Sequence, residues 1–172
     1  MTLADWLPLL ASGAALSVSI AALASQLRAA KHAALLTILG NMLTRFRSAE
    51  FQAARSYLEN DFQRDFPPTP SGDYPFPSEA REKVRPCTSF YQDFGLLLTE
   101  GAIQPAMVSA TFGQSARTAW RILGPYVVAE RVRRDGEDPS YYAYFEHLVA
   151  VVEDWPPPRL MAKLRLRKPR GD

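Results

Sequence analysis

The sequence predicts an all-α protein. Apolar residues recur at helical spacing in most segments, no segment alternates with period two over the length of a strand, and prolines and glycines separate the periodic segments. We expect an N-terminal transmembrane helix that continues into a long amphipathic helix, packed with three to four further helices. The expected organisation is a transmembrane anchor at 1–27, a cytoplasmic helical domain at 28–155 and a basic tail at 156–172.

The first helix is predicted as a membrane span because the stretch from Trp6 to Leu27 carries no charged side chain. At about 1.5 Å per residue it would extend roughly 33 Å, enough for a hydrocarbon core of about 30 Å. A cleaved signal peptide is disfavoured because "MTLAD" lacks the basic residue that such peptides carry. A buried helix of a soluble protein remains an alternative, since alanine, serine and glycine dominate the stretch.

The charges beside this stretch predict its orientation. Asp5 precedes it, and four basic residues follow: Arg28, Lys31, Arg45 and Arg47. The excess of lysine and arginine on the cytoplasmic side of membrane proteins places the N-terminus outside the cell inner (plasma) membrane and the domain in the cytoplasm. The single cysteine, Cys87, gives no support to an oxidising compartment.

Small residues recur every fourth position in the predicted span, at Gly13, Ser17, Ala21 and Ser25. Such a stripe lets two membrane helices approach closely and indicates a homo-oligomer. The alternative is that the stripe has no role, because small residues also occur on the other faces of this helix.

The remaining helices follow from apolar spacing and from helix breakers. No breaker interrupts the chain after the span, so the first helix is expected to continue to about Arg64. Residues 66–77 contain five prolines and form a predicted loop. Further helices are predicted at 78–100, 105–113, 114–136 and 140–155. Pro86 should kink the first of these helices or mark its start, and the third should bend at Gly124–Pro125.

Several short runs in the C-terminal half resemble a bacterial family of unknown function. The runs are "FYQDFGLLLTEGAI", Trp120, "GPYVVAER" and "YYAYFEHLV", which lie between Phe90 and Val149. The resemblance implies one N-terminal membrane helix, a long membrane-proximal helix and a small helical domain. It carries over no catalytic residues.

No pattern indicates catalysis, a metal or a cofactor. The two histidines, His32 and His147, belong to no metal-binding motif, and His147 is expected at the edge of the core. Cys87 has no neighbouring group that would activate its thiol and is expected to be structural. The sequence therefore predicts no catalytic, cofactor-binding or metal-binding residues.

Two sets of charged residues remain as candidate sites. Glu130 and Arg131 could form a polar network with Glu100 and Glu146, or Glu130 could pair only along its own helix with Arg133 and Arg134. The basic tail could contact anionic lipid, bind nucleic acid or remain solvated. It has no aromatic residue for base stacking, which argues against nucleic acid. The tail residues are Arg159, Lys163, Arg165, Arg167, Lys168 and Arg170.

The sequence favours a single-pass membrane protein whose helical domain binds or scaffolds an unknown protein partner at the cytoplasmic face of the bilayer. Two alternatives stay open. One is a membrane-bound enzyme with a site assembled from distant helices, and the other is a soluble helical regulator.

Overall fold

The computed structural model describes residues 3–134 and 140–163, including their side chains apart from those of 3–15, 17, 18, 21, 31, 32 and 157. These residues form helices and turns, with no strand among them, so the all-α prediction is confirmed. The helices are α1 (Leu3–Phe46), α2 (Ala49–Asn60), α3 (Phe62–Asp65), α4 (Ser78–Thr99), α5 (Pro105–Arg133), α6 (Ala143–Glu153) and α7 (Pro157–Lys163).

The chain divides into two compact units, at residues 1–43 and 44–172. The first unit is α1 without its last turn, and none of its described side chains is buried. Four of its large apolar residues, Leu16, Ile20, Leu23 and Leu27, are between 55% and 63% exposed. Within the described residues, no helix has the length and apolar character required to cross a membrane.

The prediction that the first helix continues to about Arg64 is wrong, because the helix breaks at Ser48. There the Ser48 hydroxyl accepts a hydrogen bond from the backbone N–H of Phe51 at 3.2 Å, the usual way a serine caps a helix N-terminus. The rings of Phe46 and Phe51 lie 4.9 Å apart across the break. A side-chain cap and an apolar contact therefore start α2 as a separate helix.

The second unit has a core rich in aromatic residues. Helix α4 packs against α2 and α6, and α5 packs against α6. The rings of Phe90, Phe94 and Phe112 lie between 4.6 and 5.5 Å from one another at the centre of this packing. All three are buried, and burying a phenylalanine side chain contributes about 1.5–3 kcal/mol relative to leaving it exposed.

Helix α5 is longer than the sequence indicated. The prediction that a helix ends at Gly113 is wrong, since α5 is continuous through Gly113 and through Gly124–Pro125. A Cβ atom at Gly113 would lie 2.9 Å from Cγ1 of Val152 on α6. The glycine therefore allows two helices to approach closely and does not stop one.

Helix α4 spans Ser78–Thr99 as one element, so Pro86 lies inside it and does not mark its start. The expected stop is present, because Gly101 adopts the left-handed conformation, with φ of 65°. Residues 66–77 form no helix and connect α3 to α4.

The start of α6 is fixed against α4. A Cβ atom at Gly95 would lie 1.9 Å from the carbonyl oxygen of Tyr144, so only glycine fits there. The side-chain oxygen of Gln92 accepts the backbone N–H of Phe145 at 2.6 Å, which satisfies one of the free N–H groups of the first turn. Tyr142, just before the helix, has a left-handed backbone with φ of 57°, and its hydroxyl donates to Thr88 at 3.2 Å.

Candidate functional site

A buried carboxylate surrounded by arginines lies at the C-terminal end of α5. Glu130 is only 8% exposed. Its Oε1 accepts hydrogen bonds from Arg81 at 2.9 Å and from Arg134 at 3.1 Å, and its Oε2 accepts one from Arg133 at 2.7 Å. Because all these donors are charged, each bond is stronger than a neutral one. The Glu130 cluster, meaning Glu130 and these three arginines, joins the end of α5 to the first turns of α4.

The same cluster holds the proline-rich loop. Arg133 donates to the carbonyl oxygen of Tyr74 and contacts the carboxylate of Asp73 at 3.3 Å. At the start of the loop, the hydroxyl of Tyr126 on α5 donates to the carbonyl oxygen of Phe66 at 2.6 Å. Residues 66–77 are therefore tied to α5 near both ends.

A second group of polar contacts connects α5 to the start of α6. Arg131 contacts Glu146 at 2.8 Å and donates through Nε to the carbonyl oxygen of Tyr141 at 2.9 Å. The guanidinium carbon of Arg134 lies 4.0 Å from the centre of the Tyr141 ring, which links this group to the Glu130 cluster. Nη2 of Arg131 and the hydroxyl of Tyr141 are buried and have no hydrogen-bond partner within the described part of the chain. Burial raises the pKa of Tyr141.

Of the four residues proposed for a polar network, the structure brings three into one neighbourhood. Glu130 and Arg131 lie in the two linked groups, and Glu146 pairs with Arg131. Glu100 is exposed at the end of α4, where its backbone N–H bonds to the Leu96 carbonyl, and it takes no part in the described contacts of either group. The pairs of Glu130 with Arg133 and Arg134 along its own helix are also present.

Of the cross-helix partners, Arg81 was not identified from the sequence, whereas Glu146 was. Arg81 lies 49 residues before Glu130, and no local spacing relates the two. Both Glu130 oxygens are occupied by arginine donors, so the cluster holds elements together and presents no free carboxylate to a ligand.

The chain matches the family described as "Domain of unknown function (DUF4760)" over residues 9–155. The chain belongs to this family. The prediction of a family of unknown function is thereby confirmed, and the runs between Phe90 and Val149 lie inside the matched region. No curated protein and no solved structure matches the chain.

The DUF4760 region also contains a groove between α2 and α4. One end is a cavity of about 240 Å³ with a polar lining that includes Arg45, Ser48, Arg85 and Ser89. The next cavity, of about 390 Å³, is mostly apolar and is lined by Glu50, Ala53, Ala54, Tyr57, Lys83 and Pro86. Glu50 and Pro86 line both, so the two cavities are neighbours on the surface between α2 and α4, and we call the pair the groove.

The reactive residue types of the DUF4760 region are not assembled for chemistry. Cys87 is fully buried, its thiol faces the carbonyl oxygen of Phe51 at 3.6 Å, and burial raises the pKa of the thiol to about 12. His147 is exposed, so its expected place at the edge of the core is wrong. The side chain of His32 lies outside the described residues. Among the described residues, no group of acidic, histidine and cysteine side chains could hold a metal ion.

The remaining sites suggested by the sequence are only partly described. Ser25 is exposed, and the burial of Gly13, Ser17 and Ala21 lies outside what the structure describes. Beyond the DUF4760 region, Arg159 donates to the carbonyl oxygen of Asp154 at 2.6 Å and lies 4.5 Å from the centre of the Trp155 ring. Lys163 is exposed at the end of α7, and Arg165, Arg167, Lys168 and Arg170 lie outside the described residues.

Proposed function

We propose that this DUF4760 protein is a single-pass membrane protein whose second unit binds or scaffolds a protein partner at the cytoplasmic membrane face. One observation carries the proposal: a charge-free segment long enough to span a bilayer has its described large apolar side chains more than half exposed. In water such a segment needs a cover, because each exposed leucine or isoleucine forgoes about 1.5–3 kcal/mol of burial. A bilayer supplies that cover for a whole helix.

The charges around this segment support its orientation. Asp5 precedes the segment and basic residues begin at Arg28, immediately after it. Trp6 stands where an aromatic side chain would meet the lipid headgroups. We therefore place the N-terminus outside the cell inner membrane and residues after 28 in the cytoplasm.

Binding by the second unit is supported by the groove between α2 and α4. The groove combines an apolar stretch around Ala53 and Ala54 with cationic residues at its end, the composition of a surface that takes an extended or helical peptide. The Glu130 cluster fixes one of the two helices that carry the groove, since Arg81 belongs to α4.

Contact between the tail and anionic lipid is a further part of the proposal. It is supported by the six basic residues of 156–172 and by the exposed position of Lys163. Each base near an anionic leaflet contributes about 1 kcal/mol. Of the two tail bases that the structure describes, Arg159 is bonded to the carbonyl oxygen of Asp154 and is less available than Lys163.

Membrane fractionation with an alkaline carbonate wash tests the anchor. The intact chain is expected in the pellet, whereas a chain lacking residues 1–27 and the variant Leu16→Lys/Ile20→Lys are expected in the supernatant. Leu96→Lys is the matched control, because Leu96 is also an exposed leucine but lies in the second unit. Release of the intact chain by carbonate would refute the anchor.

The groove is tested by a photo-crosslinking residue placed at Ala53 in cells, compared with the same residue at Gln114. Both positions are exposed, but only Ala53 lines the groove. An adduct of one defined mass at Ala53 and none at Gln114 is expected. Equal labelling at the two positions would contradict binding at the groove.

A further inference from the structure

The lining of the groove between α2 and α4 carries an excess of positive charge. Among its described lining residues, Glu50 is the one acidic side chain, and three are cationic: Arg45, Lys83 and Arg85. Three positive charges therefore stand against one negative charge. A surface with such an excess is complementary to an acidic partner.

The carboxylates that pair with these cations do not line the groove. Asp93 pairs with Arg45, Glu79 with Lys83 and Glu82 with Arg85, and none of the three acids is among the described lining residues. The side chains of Glu79 and Glu82 are 71% and 63% exposed. Exposed pairs of this kind contribute little to stability, so an anionic group that enters the groove can share the cations without breaking a buried pair.

The two arginines also keep hydrogen-bond donors unused. Arg45 donates through one terminal nitrogen to Asp93 and through the other to the hydroxyl of Ser89. Arg85 contacts Glu82 at 3.3 Å and donates no side-chain hydrogen bond to another described residue. Because a guanidinium has more N–H groups than these contacts use, each arginine can still bind a carboxylate.

The second cavity of the groove fits an apolar side chain. Its lining is mostly apolar and includes Ala53 and Ala54 on α2 and Pro86 on α4, and its volume is about 390 Å³. The alanine side chains leave space that a larger side chain from a partner fills. Lys83 stands at the wall of this cavity, with its ammonium nitrogen 5.2 Å from the centre of the Tyr57 ring.

We propose that the groove binds an acidic peptide segment in which carboxylates flank an apolar side chain. The inference rests on the proposed function, which assigns a protein partner to this groove. The apolar side chain packs against Ala53 and Pro86, and the carboxylates pair with Arg85 and Lys83. Glu50 lines both cavities and repels an acid that comes close to it, so it favours the apolar residue of the segment at that point.

The chemistry of the partner is read from the photo-crosslinking residue at position 53. The cross-linked segment is identified by mass spectrometry, and we expect a polypeptide segment with net negative charge and an apolar residue between its acids. The same segment is then synthesised with a fluorescein label. Its Kd for the full-length chain in detergent is measured by fluorescence anisotropy.

Charge variants of the groove are expected to change this Kd in opposite directions. Arg85→Glu should raise the Kd about fivefold, because it replaces an attraction by a repulsion at a partly hydrated position, whereas Arg85→Lys should leave it within about twofold. Glu50→Gln should lower the Kd about twofold, because it removes the one repulsion. Arg121→Glu is the matched control: Arg121 is an exposed arginine of α5 that does not line the groove, and the Kd should not change.

The opposite signs at positions 85 and 50 exclude an effect of misfolding, since a damaged chain loses affinity in both variants. An adduct on a neutral or basic segment, or a Kd that Arg85→Glu leaves unchanged, overturns the acidic peptide and leaves protein binding at the groove standing. An adduct on nucleic acid or lipid, or no adduct at position 53, overturns both.

Discussion

Replacing Gly95 with alanine is expected to destabilise the second unit strongly. The new Cβ would lie 1.9 Å from the carbonyl oxygen of Tyr144. A carbon and a carbonyl oxygen approach no closer than about 3.3 Å even in a weak hydrogen bond, so α4 and the start of α6 must separate by roughly 1.4 Å. The obstructing atom belongs to the backbone, which cannot move away as a side-chain tip could.

The size of the effect follows from what this separation disturbs. The hydrogen bond from the Phe145 N–H to Gln92, 2.6 Å long, would stretch, at a cost of about 1 kcal/mol. The ring of Phe145 stacks on Tyr91 with centroids 4.7 Å apart, and overpacking such a core costs typically 1–3 kcal/mol. The total is about 3 kcal/mol, which lowers the thermal midpoint by roughly 10 °C for a unit of this size.

Thermal unfolding followed by far-UV circular dichroism measures this midpoint for the full-length chain. Gly40→Ala is the matched control, since Gly40 is also inside a helix but a Cβ there meets nothing within 4 Å. Alanine at that position is expected to stabilise α1 locally by up to about 1 kcal/mol. A midpoint for Gly95→Ala within about 2 °C of the wild type would refute the close approach of α4 and α6.

Three further predictions concern buried polar groups. Glu130→Gln should lower the free energy of unfolding by about 2 kcal/mol in urea titrations, since it weakens three charge-assisted bonds to partly hydrated arginines. The control Glu146→Gln affects one half-exposed pair with Arg131 and should lower it by less than about 1 kcal/mol. Equal losses for the two variants would contradict the central place of Glu130 in the cluster. Cys87 should react with iodoacetamide at pH 8 at least about a hundredfold more slowly in the folded chain than in urea, because its thiol is buried, and similar rates would show that it is accessible. Burial raises the pKa of the Cys87 thiol from 9.0 to about 12, so the folded chain holds this proton after the unfolded chain has lost it. The free energy of unfolding should therefore fall between pH 9 and pH 12. Cys87→Ala should reduce the slope of this fall by up to about 1.4 kcal/mol per pH unit.

The polar site shows where prediction from sequence reaches its limit. The pairs of Glu130 with Arg133 and Arg134 follow from helical spacing, because residues three and four apart are neighbours on any helix. The pair with Arg81 depends on how α4 packs beside α5, and the contact of Arg131 with Tyr141 depends on how the chain enters α6. The expected role of Glu100 failed for the same reason, since its place on α4 directs it to solvent.

The sequence by itself determined the all-α class, the loop at 66–77, the stop of α4 at Gly101 and the family of unknown function. These features depend on periodicity, proline and glycine chemistry and similarity along the chain, all of which are local. Only the tertiary structure decided that Gly113 continues a helix and that Gly95 admits no side chain, because a glycine has the same local freedom whether it ends a helix or lets another helix approach. What distinguishes the two is the position of a second helix, and that is fixed by packing.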